Sequence, residues 1–131
     1  MLYRKSSTPV SLCVVLLIGM IGCQPRQVHP NAVSQLDSDT YDALVTANAA
    51  INSAKDQLST SALPASAGQT INYTVAAYNT ARGAWLTYRH TVESLAPGAA
   101  APAAETAALQ SSLSSLTKAI VSLQNLIKGV K

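Results

Sequence analysis

Residues with catalytic or metal-binding chemistry are scarce in this chain. It has two cysteines, two histidines and one tryptophan, and charged residues make up 11% of its 131 residues. Cys13 lies in an N-terminal apolar run and Cys23 lies just after it, so no disulfide framework is available to the fold behind them. One histidine in the expected folded part and scattered carboxylates do not supply the ligands of a metal site. A Gly-rich phosphate loop is also missing from the sequence.

A hydrolase needs a nucleophile with a base within reach, and the sequence offers one weak candidate pair. His90 and Glu93 are three residues apart and would be neighbours on one face of a helix. Because His90 falls beside the apolar face, a surface pair is a better interpretation than a catalytic one. We therefore predict no catalytic residues, no metal and no enzymatic activity.

The basic character of the chain is concentrated at its N-terminus. The formal net charge is +3, but residues 23–131 hold seven Lys or Arg against six Asp or Glu. A nearly neutral domain with few arginines does not favour a nucleic-acid partner. Apolar residues make up 48% of the chain, which excludes disorder of the whole, and the length suits one domain.

The N-terminus has the layout of a secretory signal. A short positive region, residues 1–5, precedes an apolar run from Val10 to Ile21. A spanning helix needs about 20 predominantly apolar residues, and this run is shorter. An uncleaved anchor is the alternative interpretation.

The run ends in Met20-Ile21-Gly22-Cys23, which resembles the lipobox of bacterial lipoproteins. The resemblance covers residues 1–23 only. It implies a diacylglycerol on the Cys23 thiol, cleavage after Gly22, and an acyl chain on the new amine. Met20 departs from the Leu preferred there, and a cysteine that merely ends an apolar stretch is the alternative. Gln24, in place of Asp, implies the outer membrane in bacteria with two membranes, and otherwise the exterior of the cell membrane.

Behind this signal peptide (1–22) we expect a lipid-anchored tether over residues 23–36 and a folded domain over residues 37–131. The first helix is predicted at about residues 39–60, with Asp39 as its N-cap. Leu44, Ile51 and Leu58 recur every seven residues and predict a narrow apolar stripe. A calcium loop over residues 37–42 is a weaker interpretation, since the Gly and late Glu of an EF-hand are missing.

Two further helices are predicted, at about residues 66–95 and 102–129. Ser66 and Gln69 match a capping box, and Pro97-Gly98 is typical of a helix end. The last helix carries an unbroken heptad pattern from Leu109 to Val130, as in a coiled coil. Three amphipathic helices with short connections predict an all-α, antiparallel three-helix bundle. The first helix is the shortest, so we expect it to leave one end of the other two uncovered.

One face of the second helix combines aromatic and basic residues: Tyr78, Arg82, Trp85, Tyr88 and Arg89. Such a face suits core packing with the arginine stems laid over the rings, and it is also the candidate binding face for a small ligand or glycan. The preferred hypothesis is a lipid-anchored envelope protein with a structural or protein-interaction role. Its expected partners are the membrane, through the lipid, and an envelope protein or a second copy.

Overall fold

A computed structural model describes residues 28–129. It contains α1 (Gln35–Ser59), α2 (Ala67–Glu93) and α3 (Ala103–Gly129), of 25, 27 and 27 residues. No strand occurs within this range, and the all-α prediction is confirmed. The signal peptide, the lipobox and Cys23 lie outside the described residues, as do Val130 and Lys131.

The direction of the helices follows from two core clusters. The first joins residues 44–50 of α1 to residues 77–85 of α2 and to Leu116 and Ile120 of α3. The second joins residues 51–58 of α1 to residues 71–78 of α2 and to Leu123, Leu126 and Ile127 of α3. Residue numbers therefore rise along α1 and α3 while they fall along α2, so α2 is antiparallel to both neighbours. The predicted antiparallel three-helix bundle is confirmed.

The predicted apolar stripes form the core. Leu44, Ile51 and Ala54 of α1 are buried, and Leu109 and Leu123 of α3 are fully enclosed. Among the described residues, five of the 14 buried hydrophobic ones are alanines, whose small side chains let helices approach closely. The polar Thr74 also lies in this core. Its hydroxyl donates to the Thr70 carbonyl at 2.8 Å and contacts the Ala119 carbonyl of α3 at 3.4 Å.

The end of α1 is closed by backbone hydrogen bonds rather than by Pro64 itself. Ser61 adopts a left-handed conformation with φ 59°. The amide of Ser61 donates to the Leu58 carbonyl at 3.1 Å, and the amide of Ala62 donates to the Gln57 carbonyl at 2.9 Å. This pair of bonds is a Schellman motif with Ser at the position that usually holds Gly.

The other helix ends differ from the sequence predictions in detail. Ser66 is the N-cap of α2, but its side chain makes no capping hydrogen bond, so the predicted capping box with Gln69 is wrong. Ser66 has helical backbone angles, φ −61° and ψ −20°, whereas a capping residue normally sits in the extended region. Helix α2 ends at Glu93, and Pro102 directly precedes α3.

Length differences between the helices are smaller than predicted, because α1 begins at Gln35 rather than near Asp39. The end of the α2–α3 pair that we expected to be uncovered therefore has the start of α1 beside it. Among the described helices, none combines the length and apolar character needed to span a membrane.

Two glycines should respond oppositely to the same substitution. Gly98 has φ +81°, whereas Gly83 lies within α2, and a Cβ at either position would meet no atom within 4 Å. We expect Gly98→Ala to lower the free energy of unfolding by about 1 kcal/mol, because Ala resists the left-handed conformation. Gly83→Ala should raise it by about 0.5–1 kcal/mol through helix propensity. Urea unfolding followed by circular dichroism measures both changes in the free energy of unfolding. Changes of the same sign would contradict the backbone conformations assigned to Gly83 and Gly98.

Candidate functional site

The start of α1 is organised by Ser34 and Asp37. Ser34 is the N-cap, with extended backbone angles, and its hydroxyl accepts a 3.1 Å hydrogen bond from the Asp37 amide. The Asp37 carboxylate in turn accepts from the Val33 amide at 2.8 Å. These reciprocal bonds resemble a capping box shifted by one residue. The prediction of Asp39 as the N-cap is therefore wrong, since Asp39 lies inside α1.

Residues 28–34, which we call the N-terminal strap, pack against the bundle. The strap turns at Pro30 and Asn31, where the Ala32 amide donates to the His29 carbonyl at 3.0 Å and Asn31 has φ 69°. Proline followed by Asn with positive φ is typical of a type II turn. The His29 amide donates to the Ser38 hydroxyl at 3.0 Å. The C-terminal half of the predicted tether is thus bonded to the bundle.

His29 also bonds to α1 through its ring. Its Nε2 lies 2.6 Å from a carboxylate oxygen of Asp42. The ring meets Tyr41 edge-on with centroids 5.1 Å apart, and Tyr41 in turn is tilted against Trp85 at 6.2 Å. The sequence pattern did not predict these partners of His29, whose ring remains partly exposed.

The Asp37 carboxylate is the centre of the polar cluster at this end of the bundle. The residue is only 1% exposed. Besides the Val33 amide, it accepts a 2.5 Å hydrogen bond from Nε1 of Trp85 on α2. The Arg89 guanidinium lies 3.7 Å from its other oxygen. Burying a carboxylate is costly unless it is paired and hydrogen-bonded, and these three partners meet that requirement.

Arg89 links the cluster to the strap and to the end of α2. Its guanidinium lies over the Trp85 ring at 5.6 Å from the centroid, within the range of a cation–π interaction. It donates to a Glu93 carboxylate oxygen at 3.1 Å and to the Asn31 carbonyl at 3.3 Å. The Arg89 guanidinium therefore contacts an aromatic ring, a carboxylate and a backbone carbonyl.

The structure brings most of the predicted aromatic and basic face together. Tyr88 is buried and its hydroxyl lies 2.9 Å from that of Ser34, with either group able to donate. Tyr78 is half-buried between the two core clusters. Trp85 packs beside the first cluster, whereas Arg82 is exposed. The polar atoms of Trp85, Tyr88 and Arg89 are engaged by α1, the strap and Glu93.

His90 and Glu93, the one candidate pair in the sequence, are both exposed. Glu93 bonds to Arg89, one helical turn before it. Within residues 28–129, no group of three or more His, Cys, Asp and Glu side chains is placed to hold a metal ion. Two carboxylates of the calcium loop considered from the sequence have protein partners instead. Asp37 accepts a hydrogen bond from Trp85, and Asp42 lies against the His29 ring.

An open cavity of about 330 Å³ lies between the strap and the start of α1. Its lining includes His29, Asp37, Tyr41 and Arg89. The lining therefore offers an aromatic ring and an arginine that already has acidic neighbours. Of the predicted aromatic and basic face, Arg89 belongs to this lining.

Two sequence signals for this cluster were present but went unused. Ser34-x-x-Asp37 has the capping-box spacing, and Pro30-Asn31 is typical of a turn. Neither signal shows that Asp37 is buried, because its partner Trp85 lies 48 residues away in the chain.

No protein family, curated protein or solved structure matches this chain.

Removing the charge of Asp37 tests the role of the cluster. Asparagine has one acceptor oxygen instead of two, so either the Val33 or the Trp85 donor loses its partner and Arg89 loses its ion pair. We expect Asp37→Asn to lower the free energy of unfolding by about 2–3 kcal/mol. The matched control is Asp56→Asn, near the exposed end of α1, with a change within about 0.5 kcal/mol. Equal effects in urea unfolding would contradict the assignment.

Proposed function

We propose that the chain is an exported bacterial lipoprotein whose mature form begins at Cys23 and holds a small helical bundle at the cell envelope. The observation that carries the proposal is Met20-Ile21-Gly22-Cys23 at the end of a short apolar run behind Arg4 and Lys5. Such a run suits a cleaved secretory signal better than a spanning helix. The first described helix begins 12 residues after Cys23, and this distance leaves a short segment between the proposed anchor and the bundle.

The anchor would be a diacylglycerol on the Cys23 sulfur together with an N-acyl chain such as palmitate. A single acyl chain gives marginal, reversible membrane binding, whereas two or more make attachment stable. In bacteria with two membranes, Gln24 favours the outer membrane, and otherwise the domain would lie on the exterior of the cell membrane. No further cofactor is part of the proposal.

For the domain itself we propose a structural or protein-interaction role. The contacts among its polar side chains support this role: Asp37, Trp85 and Arg89 bond to one another and hold the start of α1 against α2. Side chains that bond to one another in this way stabilise one arrangement of the helices. The proposed partner is an envelope protein or a second copy of the chain.

The second candidate function is binding of a small ligand or glycan at the strap. It is favoured by the open cavity that includes Tyr41 and Arg89 in its lining. An aromatic ring beside an arginine is a common arrangement for stacking and polar contacts with a sugar. It ranks second because the arginine already bonds to Glu93 and the Asn31 carbonyl.

Lipid attachment is tested by expressing the full chain in a lipoprotein-processing bacterium fed with labelled palmitate. We expect the wild type to incorporate the label, to fractionate with membranes, and to yield an N-terminal peptide that begins at a lipid-modified Cys23. Cys23→Ala should lose the label, because residues 24–131 contain no other thiol that can take the thioether-linked diacylglycerol. A wild type without label, or a Cys23→Ala variant that still carries it, would contradict the proposal.

A further inference from the structure

The N-terminal strap restricts where an anchored Cys23 can lie relative to the bundle. The His29 amide is bonded to Ser38, and the Asn31 carbonyl is bonded to Arg89, so the chain is attached to α1 and α2 from residue 29 onward. Only residues 24–28 separate Cys23 from this attachment point. Six residue steps span at most about 20–22 Å.

The bundle is about twice as long as this reach. A helix of 27 residues, such as α2, extends about 40 Å at 1.5 Å per residue. If residues 24–36 were all free, they would reach about 43–47 Å and would let either end of the bundle approach the membrane. With the strap attached, Cys23 can approach the end formed by the start of α1, the end of α2 and the start of α3, whereas the opposite end is beyond its reach.

We infer that this strap end faces the lipid surface and that the turn at residues 60–66, together with the end of α3, faces away from it. The inference rests on the proposed lipid attachment at Cys23. It adds an orientation, which decides which part of the domain an envelope partner can reach.

The distribution of apolar side chains supports an end-on orientation. Three of the six exposed large hydrophobic residues lie on the strap or the first turns of α1, namely Val28, Tyr41 and Val45. The other three, Tyr73, Leu86 and Val121, are divided between α2 and α3. A helix that lies in the membrane interface needs one continuous apolar face. Within residues 28–129, no helix has more than two of these exposed side chains, and half of them lie at the strap end.

Two exposed alanines in loops provide a matched pair of positions for distance measurement. Ala99 lies in the α2–α3 connection at the strap end, and Ala62 lies in the α1–α2 turn at the opposite end. In the mature lipidated chain the Cys23 sulfur is blocked, so Ala99→Cys and Ala62→Cys each introduce the one free thiol. A donor dye on this thiol reports energy transfer to acceptor dyes on lipid headgroups.

The experiment uses the full chain, processed in the bacterium and reconstituted into vesicles of phosphatidylcholine with one-quarter phosphatidylglycerol. We expect more efficient transfer from position 99 than from position 62, corresponding to a separation of about 30–40 Å along the bundle axis. Inserting ten residues, alternately Gly and Ser, between Arg26 and Gln27 extends the reach from Cys23 to residue 29 to about 53–58 Å. This insertion should remove most of the difference in energy transfer between the two positions.

The outcomes separate the two proposals. A chain that carries no lipid on Cys23 by mass spectrometry would overturn the proposed function, and the orientation with it. A lipidated chain with equal or reversed transfer from the two positions would overturn the orientation alone. A difference that survives the insertion unchanged would show that the strap does not set the orientation.

Discussion

The carboxylate of Asp37 is buried at the end of a bundle whose core is mostly apolar. A charge in this position must be hydrogen-bonded and paired, because its desolvation alone would cost several kcal/mol. Its partners come from different parts of the chain: the Val33 amide from the strap, and the Trp85 indole and the Arg89 guanidinium from α2. One side chain therefore sets where α1 begins, which turn of α2 lies beside it, and how the preceding segment runs.

The two apolar core clusters nearer the middle of the bundle follow from the same pairing of α1 with α2. With Asp37 opposite Trp85, Leu44 and Ala47 meet Ala81, and Ile51 and Ala54 meet Ile71. Apolar packing alone tolerates many pairings of similar volume, whereas a buried polar group tolerates few. The cluster thus supplies positional specificity to a core rich in alanine. The strap contacts the same cluster through Val33 and Asn31, and its attachment to the bundle shortens the span to Cys23.

The helices themselves could be predicted from the sequence, because their apolar residues repeat at helical spacing. The regular heptads of α3 and the stripe of Leu44, Ile51 and Leu58 in α1 identified the buried faces. The start of α1 could not be predicted in the same way, since Ser34, Asp37 and Asp39 all have N-cap chemistry within six residues. The choice among them depends on Trp85, 48 residues from Asp37 in the chain. Ser66 is the opposite case. It fits the capping-box motif in the sequence, but its backbone angles are helical and its side chain does not cap α2.

Hydrogen exchange of the Val33 amide tests the central claim, that Asp37 attaches the strap to the bundle, most directly. This amide precedes α1 and donates to the Asp37 carboxylate, so its protection reports that bond rather than the helix. The account predicts exchange at least about tenfold slower than in an unstructured chain, equivalent to about 1.4 kcal/mol. In Asp37→Asn the protection of this amide should fall more than that of amides in the middle of α2. Exchange of Val33 at the unstructured rate in the wild type would contradict the account.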